Sequence, residues 1–191
     1  MRKILLTVFL LPSLLYLASC KKDSSDTKVD LNIKGTYHFL YLTGSTRYTQ
    51  TRVEPSTVIK TVQTAKFTSK NNDGTVTIND STMISSSLTY LIDTIITYEV
   101  YENDVLKNTY TDRFMLPVPP SFTTSDYKWI ASDSVYFPNL SFFWDGITTS
   151  DAPAAARIKL EGDKLYIFQY KEQNWSSELA QSTTTVILQK Q

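Results

Sequence analysis

Hydrophobic and polar side chains alternate with a period of two along most of this chain, and no stretch keeps the period of a helix. Such alternation places successive side chains on opposite faces of a strand. Residues 33–191 therefore predict a single all-β domain of about nine or ten antiparallel strands in meander order. An up-and-down barrel is the predicted architecture, and a β-sandwich is the alternative.

The middle of the chain predicts strands separated by polar turns. Strands are predicted over residues 57–69, 75–80, 83–92, 94–101 and 105–116. The segments Asn71 to Gly74 and Asn103-Asp104 consist of residue types that adopt positive φ, so both predict turns. Pro117, Pro119 and Pro120 are expected to interrupt the strand pattern, because proline cannot donate to a ladder.

The clearest hairpin lies near the C-terminus, around Gly162-Asp163. If these are the central residues of a two-residue turn, apolar partners meet on one face and cation–aromatic partners meet on the other. The predicted pairs are Leu160 with Leu165, Ile158 with Ile167, Lys159 with Tyr166, Arg157 with Phe168, and Glu161 with Lys164. A last strand is predicted over residues 183–188.

The N-terminus carries a different pattern, in which Arg2-Lys3 precede an apolar run from Ile4 to Leu17. This run is shorter than the roughly 17 to 25 residues of a membrane span, and Pro12 interrupts it. Residues 1–19 are therefore predicted to be an export signal. The ending Leu17-Ala18-Ser19-Cys20 resembles a bacterial lipobox, which implies that Cys20 is acylated and anchors the chain to a membrane. Cys20 is the sole cysteine, so no intramolecular disulfide can form.

Residues 20–32 are predicted to be the lipidated cysteine and a flexible polar tether. The segment Cys20-Lys21-Lys22-Asp23 resembles the surface-export signal of Bacteroidota lipoproteins, in which Lys and acidic residues follow the acylated Cys. The resemblance implies an outer-membrane protein exposed at the cell surface. The alternatives are an ordinary solvated linker and a position on the periplasmic face.

The start of the domain, Ile33 to Phe39, contains Gly35-Thr36-Tyr37. This segment resembles the opening strand of lipocalin-like proteins, in which Gly-x-Trp occupies these positions and Tyr37 here replaces the Trp. The resemblance implies a lipocalin-like up-and-down barrel with a central cavity.

Composition agrees with a β protein, since aromatic residues form 13% of the chain and 12 residues are Tyr. The 19 basic and 19 acidic residues balance, and removal of Arg2 and Lys3 with the export signal leaves a slightly acidic chain. This balance gives no general attraction to nucleic acid, so no nucleic-acid partner is predicted.

Residues for catalysis are sparse, and we predict no enzyme, no cofactor and no metal site. His38 is the only histidine and is interpreted as an ordinary strand residue. The five glycines are too dispersed for a phosphate-binding loop, and the segment Asn71 to Gly74 lacks the ligands of a calcium loop. A carboxylate hydrolase is the remaining catalytic hypothesis, with surface solvation as the ordinary role of its candidates Asp126, Asp133, Asp145 and Asp151.

Aromatic side chains concentrate with little regularity between Tyr127 and Ile147, and another lies in a polar stretch at Trp175. Exposed aromatic faces can stack on sugars or line an apolar cavity, whereas buried ones plug the end of a β domain. The candidate ligand-binding residues are Trp129, Phe142, Phe143, Trp144 and Trp175.

Three short segments, Asp80-Ser81-Thr82, Asp93-Thr94-Ile95 and Asp133-Ser134-Val135, have a common pattern. They resemble the Asp-Ser/Thr-apolar acceptor used for O-glycosylation of exported Bacteroidota proteins. The resemblance implies glycosylation at Ser81, Thr94 and Ser134.

The leading functional hypothesis is an outer-membrane or surface lipoprotein whose barrel binds a small apolar or saccharide ligand. The alternative is a β-sandwich module that contacts another envelope protein. A ligand-binding barrel predicts an open interior lined by aromatic residues, whereas an interaction module predicts a filled core and an exposed apolar patch.

Overall fold

The computed structural model describes residues 31–138 and 153–191, and in these residues the protein consists of β-strands without helices. Ten strands are present there: β1 (Gly35–Glu54), β2 (Thr57–Thr68), β3 (Lys70–Ile78), β4 (Thr82–Glu102), β5 (Val105–Asp126), β6 (Lys128–Ala131), β7 (Ser134–Phe137), β8 (Ala154–Glu161), β9 (Lys164–Asn174) and β10 (Glu178–Lys190).

The strands form one antiparallel sheet whose pairings follow a ring. Strands β2 and β3 lie end to end, because both pair with β1 on one side and with β4 on the other. Strand β5 pairs with β4, and the chain continues through Tyr127 into β6, which pairs with β7. The meander then runs through β8 and β9 to β10, and β10 pairs with β1. The predicted all-β, up-and-down antiparallel fold is confirmed, and the first-to-last pairing favours the barrel over the sandwich.

The ring is incomplete at one place, since β5 has a strand partner on only one of its edges within the described residues. Three prolines lie in this strand, and Pro117 is the direct partner of Leu91 on β4. An edge strand needs donors toward one neighbour only, so it accommodates proline. The strand therefore continues through all three prolines, contrary to the prediction, but its register with β4 shifts between Val118 and Ser121, where Pro119 and Pro120 lie.

The hydrophobic core fills the inner face of the sheet near the start of β1. Its most enclosed side chains, Tyr37, Phe39, Leu42, Phe137, Leu165 and Leu188, are fully buried. The Tyr37 hydroxyl donates a 2.8 Å hydrogen bond to the Ile33 carbonyl oxygen, which ties the entering chain to the core. Aromatic and branched side chains thus occupy the interior at this end of the barrel.

The segment around Asn71 is a bulge rather than the predicted hairpin turn. Asn71 has φ 51° and Gly74 has φ 111°, and the register with β4 shifts at Asp73. A Cβ on Gly74 would lie 2.7 Å from the Leu88 Cα, so this position needs glycine. The chain keeps β1 and β4 as its neighbouring strands before and after this segment. A bulge bends a strand without changing its neighbours, whereas a hairpin turn reverses the chain direction.

The C-terminal hairpin has the predicted register at every predicted pair, from Arg157 opposite Phe168 to Glu161 opposite Lys164. Gly162 has φ 61°, as the first central position of this turn requires. The turn at Asn103-Asp104 is also confirmed, with φ 49° and 63°. Strand β4, however, is continuous over residues that were predicted as two strands, because Asp93 lies inside its ladder with β5.

Candidate functional site

An open groove of about 720 Å³ crosses the outer face of the sheet, opposite the core, from β9 over β10, β1 and β2 to β4. We call it the polar groove. It is lined by Ser45, Thr46, Arg47, Thr64, Ala65, Lys66, Thr94, Ile95, Thr97, Tyr170, Gln181, Ser182 and Thr183. With neighbouring strands about 4.8 Å apart, five strands give a groove about 19 Å long.

Strand register and side-chain size together create the groove. Tyr170 on β9 pairs with Thr183 on β10, Thr183 pairs with Ser45 on β1, and Ser45 pairs with Lys66 on β2. Small hydroxyl side chains therefore form the floor between the larger Tyr170 on one side and Ile95 of β4 on the other. Because the floor belongs to paired strands, its polar groups are held in fixed positions.

A second depression of about 530 Å³ adjoins the polar groove and shares Ser45, Lys66 and Thr183 with it. It adds Thr43 and Thr68, whose hydroxyl oxygens are 3.1 Å apart, while the Ser45 and Thr183 hydroxyl oxygens are 2.8 Å apart. A hydroxyl has one donor and two acceptor positions, so each pair keeps the capacity to bond a ligand.

The acidic side chains beside the groove are already engaged. Asp93 accepts hydrogen bonds from Arg113 at 2.9 and 3.0 Å, and the Lys70 Nζ lies 3.5 Å away. The hydrogen bonding from Arg113, followed by its charge and that of Lys70, lowers the pKa of Asp93.

On the opposite side of the groove, the Glu172 carboxylate accepts hydrogen bonds from the Tyr170 hydroxyl and, at 2.9 Å, from the Gln181 amide. These bonds, with Gln181 as the larger cause, lower the pKa of Glu172. The hydrogen bond to Glu172 raises the pKa of Tyr170. This network holds the Tyr170 hydroxyl at the rim of the groove, while the residue as a whole is 55% exposed.

The structure does not bring the predicted aromatic site together in its described part. Trp129 lies on β6, close to the β3–β4 turn. Just before β6, the Tyr127 backbone N–H donates a 2.7 Å hydrogen bond to the Ser81 carbonyl oxygen of that turn. Trp175 lies in the β9–β10 turn, which contacts Thr51 through Ser177 at the other end of the sheet. Trp129 and Trp175 are 39% and 46% exposed, and a ligand contact at either one stays a prediction. Phe142, Phe143 and Trp144 lie outside the described residues.

The three predicted glycosylation acceptors differ in their surroundings. Ser81 is exposed in the β3–β4 turn, whereas the Thr94 hydroxyl donates a 2.6 Å hydrogen bond to the Lys66 carbonyl oxygen inside the sheet. The Ser134 hydroxyl donates to the Asp133 carboxylate at 2.8 Å. Of the three, Ser81 is the most accessible, and modification at each one stays a prediction. The lipidation site Cys20 lies outside the described residues.

The candidate catalytic carboxylates are not gathered into a visible pair. Asp133 bonds to Ser134 and forms a 3.1 Å ion pair with Arg157, and these contacts, Ser134 first, lower the pKa of Asp133. Asp126 is exposed at the end of β5, and Asp145 and Asp151 lie outside the described residues. Among residues 31–138 and 153–191, no group of three or more His, Cys, Asp or Glu side chains could hold a metal ion. The same part of the chain contains no helix long and apolar enough to cross a bilayer.

Sequence reasoning missed the polar groove. Its signal is the concentration of hydroxyl residues around Ser45 and from Ser182 to Thr185, of which residues two apart share a face. Finding the groove also needs the register between β1 and β10, which are at opposite ends of the chain.

No family model matches the chain, and no curated protein matches it. Among solved structures, the chain is similar to the translocator domain of the autotransporter NalP from Neisseria meningitidis, with 7% sequence identity and a TM-score of 0.31. That comparison covers 85% of this chain and 90% of the translocator domain. The likeness is too distant to carry an argument about function.

Proposed function

We propose that this protein is a lipid-anchored outer-membrane lipoprotein that binds a saccharide in the polar groove. The observation that carries the proposal is a fixed, hydroxyl-lined groove on paired strands with an exposed aromatic ring at its side. Saccharides combine hydroxyl groups with apolar ring faces, so their sites pair polar side chains with aromatic ones.

The side chains match that chemistry. Tyr170 presents an exposed ring, and Phe168 on the same strand and face is 39% exposed. Ser45, Thr183 and Gln181 supply hydroxyl and amide groups that both donate and accept. The Tyr170 ring and the hydrogen-bonding side chains beside it lie on paired strands. Binding a sugar therefore costs little conformational entropy in the protein.

The proposed ligand site therefore lies on the outer face of the sheet. The lipocalin resemblance instead implies a site in the barrel interior. Interior side chains such as Phe39, Leu42 and Ile167 are buried and pack into one core cluster. A core packed at ordinary density leaves no room for a ligand at that end. An apolar ligand in the interior is therefore the weaker form of the hypothesis.

The proposed anchor suits this position of the groove. The tether from Cys20 leads to Leu31 and Ile33, at the end of the barrel where β1 begins. The groove lies ten residues along β1, at Ser45, and therefore about 33 Å from that end. A tether at one end leaves the groove away from the membrane and open to glycans of the cell surface.

The experiment is binding of saccharides by isothermal titration calorimetry to Tyr170→Ala and to the matched control Tyr110→Ala. Tyr110 is a similarly exposed tyrosine on β5 and lies outside the groove. We expect Tyr170→Ala to weaken binding about tenfold, equivalent to ~1.4 kcal/mol, with little change in melting temperature. Equal affinity of the two variants, or no saccharide bound by the native chain, would contradict the proposal.

One observation favours the interaction module as a second candidate. The β5 edge has no strand partner in the described residues, and Val105, Leu106 and Met115 on this strand are exposed. Such an edge is a template for strand addition by an extended segment of another envelope protein. Substitutions on β5 distinguish the two candidate functions, because they would abolish partner binding and leave saccharide binding unchanged.

A further inference from the structure

We infer that the saccharide is acidic, with its carboxylate or sulfate groups bound between Arg47 and Lys66. This inference rests on the proposed function and names its ligand class. Arg47 pairs with Thr64, and Lys66 pairs with Ser45, so the two cations are diagonal neighbours on adjacent strands. Diagonal positions on one face lie about 7 to 8 Å apart, within reach of both long side chains.

The two cations lack acidic partners in the part of the chain that the structure describes. No ion pair there includes Arg47 or Lys66, and both side chains are exposed in the groove. Two like charges side by side repel each other. An anion bound between them relieves this repulsion.

The acidic residues that share this face are bonded elsewhere. Asp93 is held by Arg113 and Lys70, and Glu172 by Gln181 and Tyr170. Glu99 accepts a 2.8 Å hydrogen bond from the Tyr101 hydroxyl. The next cation along β2, Lys60, is neutralised by Asp104 at 2.8 Å. Arg47 and Lys66 therefore form a pair of neighbouring cations beside the groove, and no ion pair of the described residues includes either one.

The geometry around the patch fits a sugar acid better than a small free anion. The guanidinium of Arg47 can bind a carboxylate or sulfate through two parallel hydrogen bonds, and Lys66 adds a point charge. The hydroxyls of Ser45 and Thr183 and the ring of Tyr170 continue the groove from the same position. A ligand that carries a charge next to hydroxyls and an apolar ring face uses all of these groups.

The test compares oligogalacturonate with its fully methyl-esterified form, which has the same length and no charge, by isothermal titration calorimetry. We expect tight binding of the acid form and weak binding of the ester. Arg47→Gln and Lys66→Gln should each weaken binding of the acid by about fivefold. Increased salt should also weaken it, because exposed charges are screened. Lys164→Gln, which removes an exposed cation at the start of β9 and outside the groove, is the charge-matched control and should bind normally.

The outcomes distinguish this inference from the proposed function. Equal binding of the acid and ester forms, weakened by Tyr170→Ala, would leave the saccharide site in place and overturn the acidic ligand. Acid binding that is unchanged in the Arg47→Gln, Lys66→Gln double variant would overturn the inferred position of the charge. If neither form binds but another saccharide does, the acidic ligand is overturned and the proposed function stands, whereas binding of no saccharide at all overturns both. Because both side chains are exposed, equal melting temperatures of the native chain and the double variant would show that a lost affinity is not a loss of folding.

Discussion

Gly162 shows how a single residue sets the geometry of a hairpin. Its φ of 61° is unfavourable for residues with a Cβ, and nothing lies within 4 Å of the position that a Cβ would occupy. The cost of a substitution there is therefore purely conformational, about 1 kcal/mol or more. We expect Gly162→Val to lower the melting temperature measured by circular dichroism. An unchanged melting curve would show that the turn does not need positive φ.

Asp93 predicts a pH dependence of stability at the same scale. The hydrogen bonds from Arg113 lower its pKa, so the carboxylate stabilises the folded chain above its unfolded pKa of about 3.9. This contribution is lost as the pH falls through the lower, folded pKa. We therefore expect Asp93→Asn to melt below the native chain at pH 7, with the difference shrinking as the pH falls below about 4.

The exposed Asp126 provides the control for that experiment, since no ion pair of the described residues includes it. Asp126→Asn should leave the melting temperature nearly unchanged across the same pH range. A difference between Asp93→Asn and the native chain that stays constant from pH 7 to pH 3 would rule out the titration of Asp93 as its cause.

Among the elements, β5 has the least usual environment because one long edge is unpaired in the described residues. Pro117 pairs with Leu91 and has no N–H, so its nitrogen must point away from β4. The register continues without a shift from Val118 to Asn108, so the odd-numbered residues also direct their N–H groups to the free edge.

This alternation predicts different effects of proline at adjacent positions of β5. Thr111→Pro removes a donor that faces the free edge, whereas Asp112→Pro removes one that bonds to β4. We expect Asp112→Pro to lower the melting temperature clearly more than Thr111→Pro does. The reverse order in thermal melts would mean that β5 directs the opposite set of donors to β4.

The strands themselves could be predicted from the sequence largely because short-range patterns decide them. The C-terminal hairpin was predicted pair by pair, since the turn and both strands lie within a dozen residues. The bulge at Asn71 to Gly74 could not be predicted in this way, because a bulge and a hairpin turn use the same residue types and positive φ values. Only the shared neighbours β1 and β4 distinguish the two, and these pairings are set by the whole sheet.

At the scale of the whole molecule, the candidate site could not be predicted from sequence patterns. The predicted aromatic residues Trp129 and Trp175 lie at opposite ends of the sheet. The polar groove instead combines residues from β1, β2, β4, β9 and β10. Its floor depends on the pairing of β1 with β10, a contact between residues more than one hundred positions apart. Hydroxyl side chains also carry no strong motif, so the groove emerges only from register.

The proposed membrane anchor is tested with the whole chain. Cys20→Ser should move the protein from the membrane fraction to the soluble fraction, because acyl chains on Cys20 would provide its stable attachment. Ser134→Ala is a suitable control, since it removes a hydroxyl of the β domain and leaves Cys20 unchanged. Tight membrane association of Cys20→Ser would contradict the lipoprotein assignment.

The central claim is that ligand binds on the outer face of the sheet and not inside the barrel. The most direct measurement is the change of backbone amide shifts in an NMR titration of residues 20–191 with oligogalacturonate. We predict the largest changes at Thr43 to Arg47, Thr64 to Thr68 and Gln181 to Thr185, which form the groove and its adjoining depression. Changes concentrated on core strand residues such as Ile158, Ile167 and Leu188, or on the free edge of β5, would contradict it.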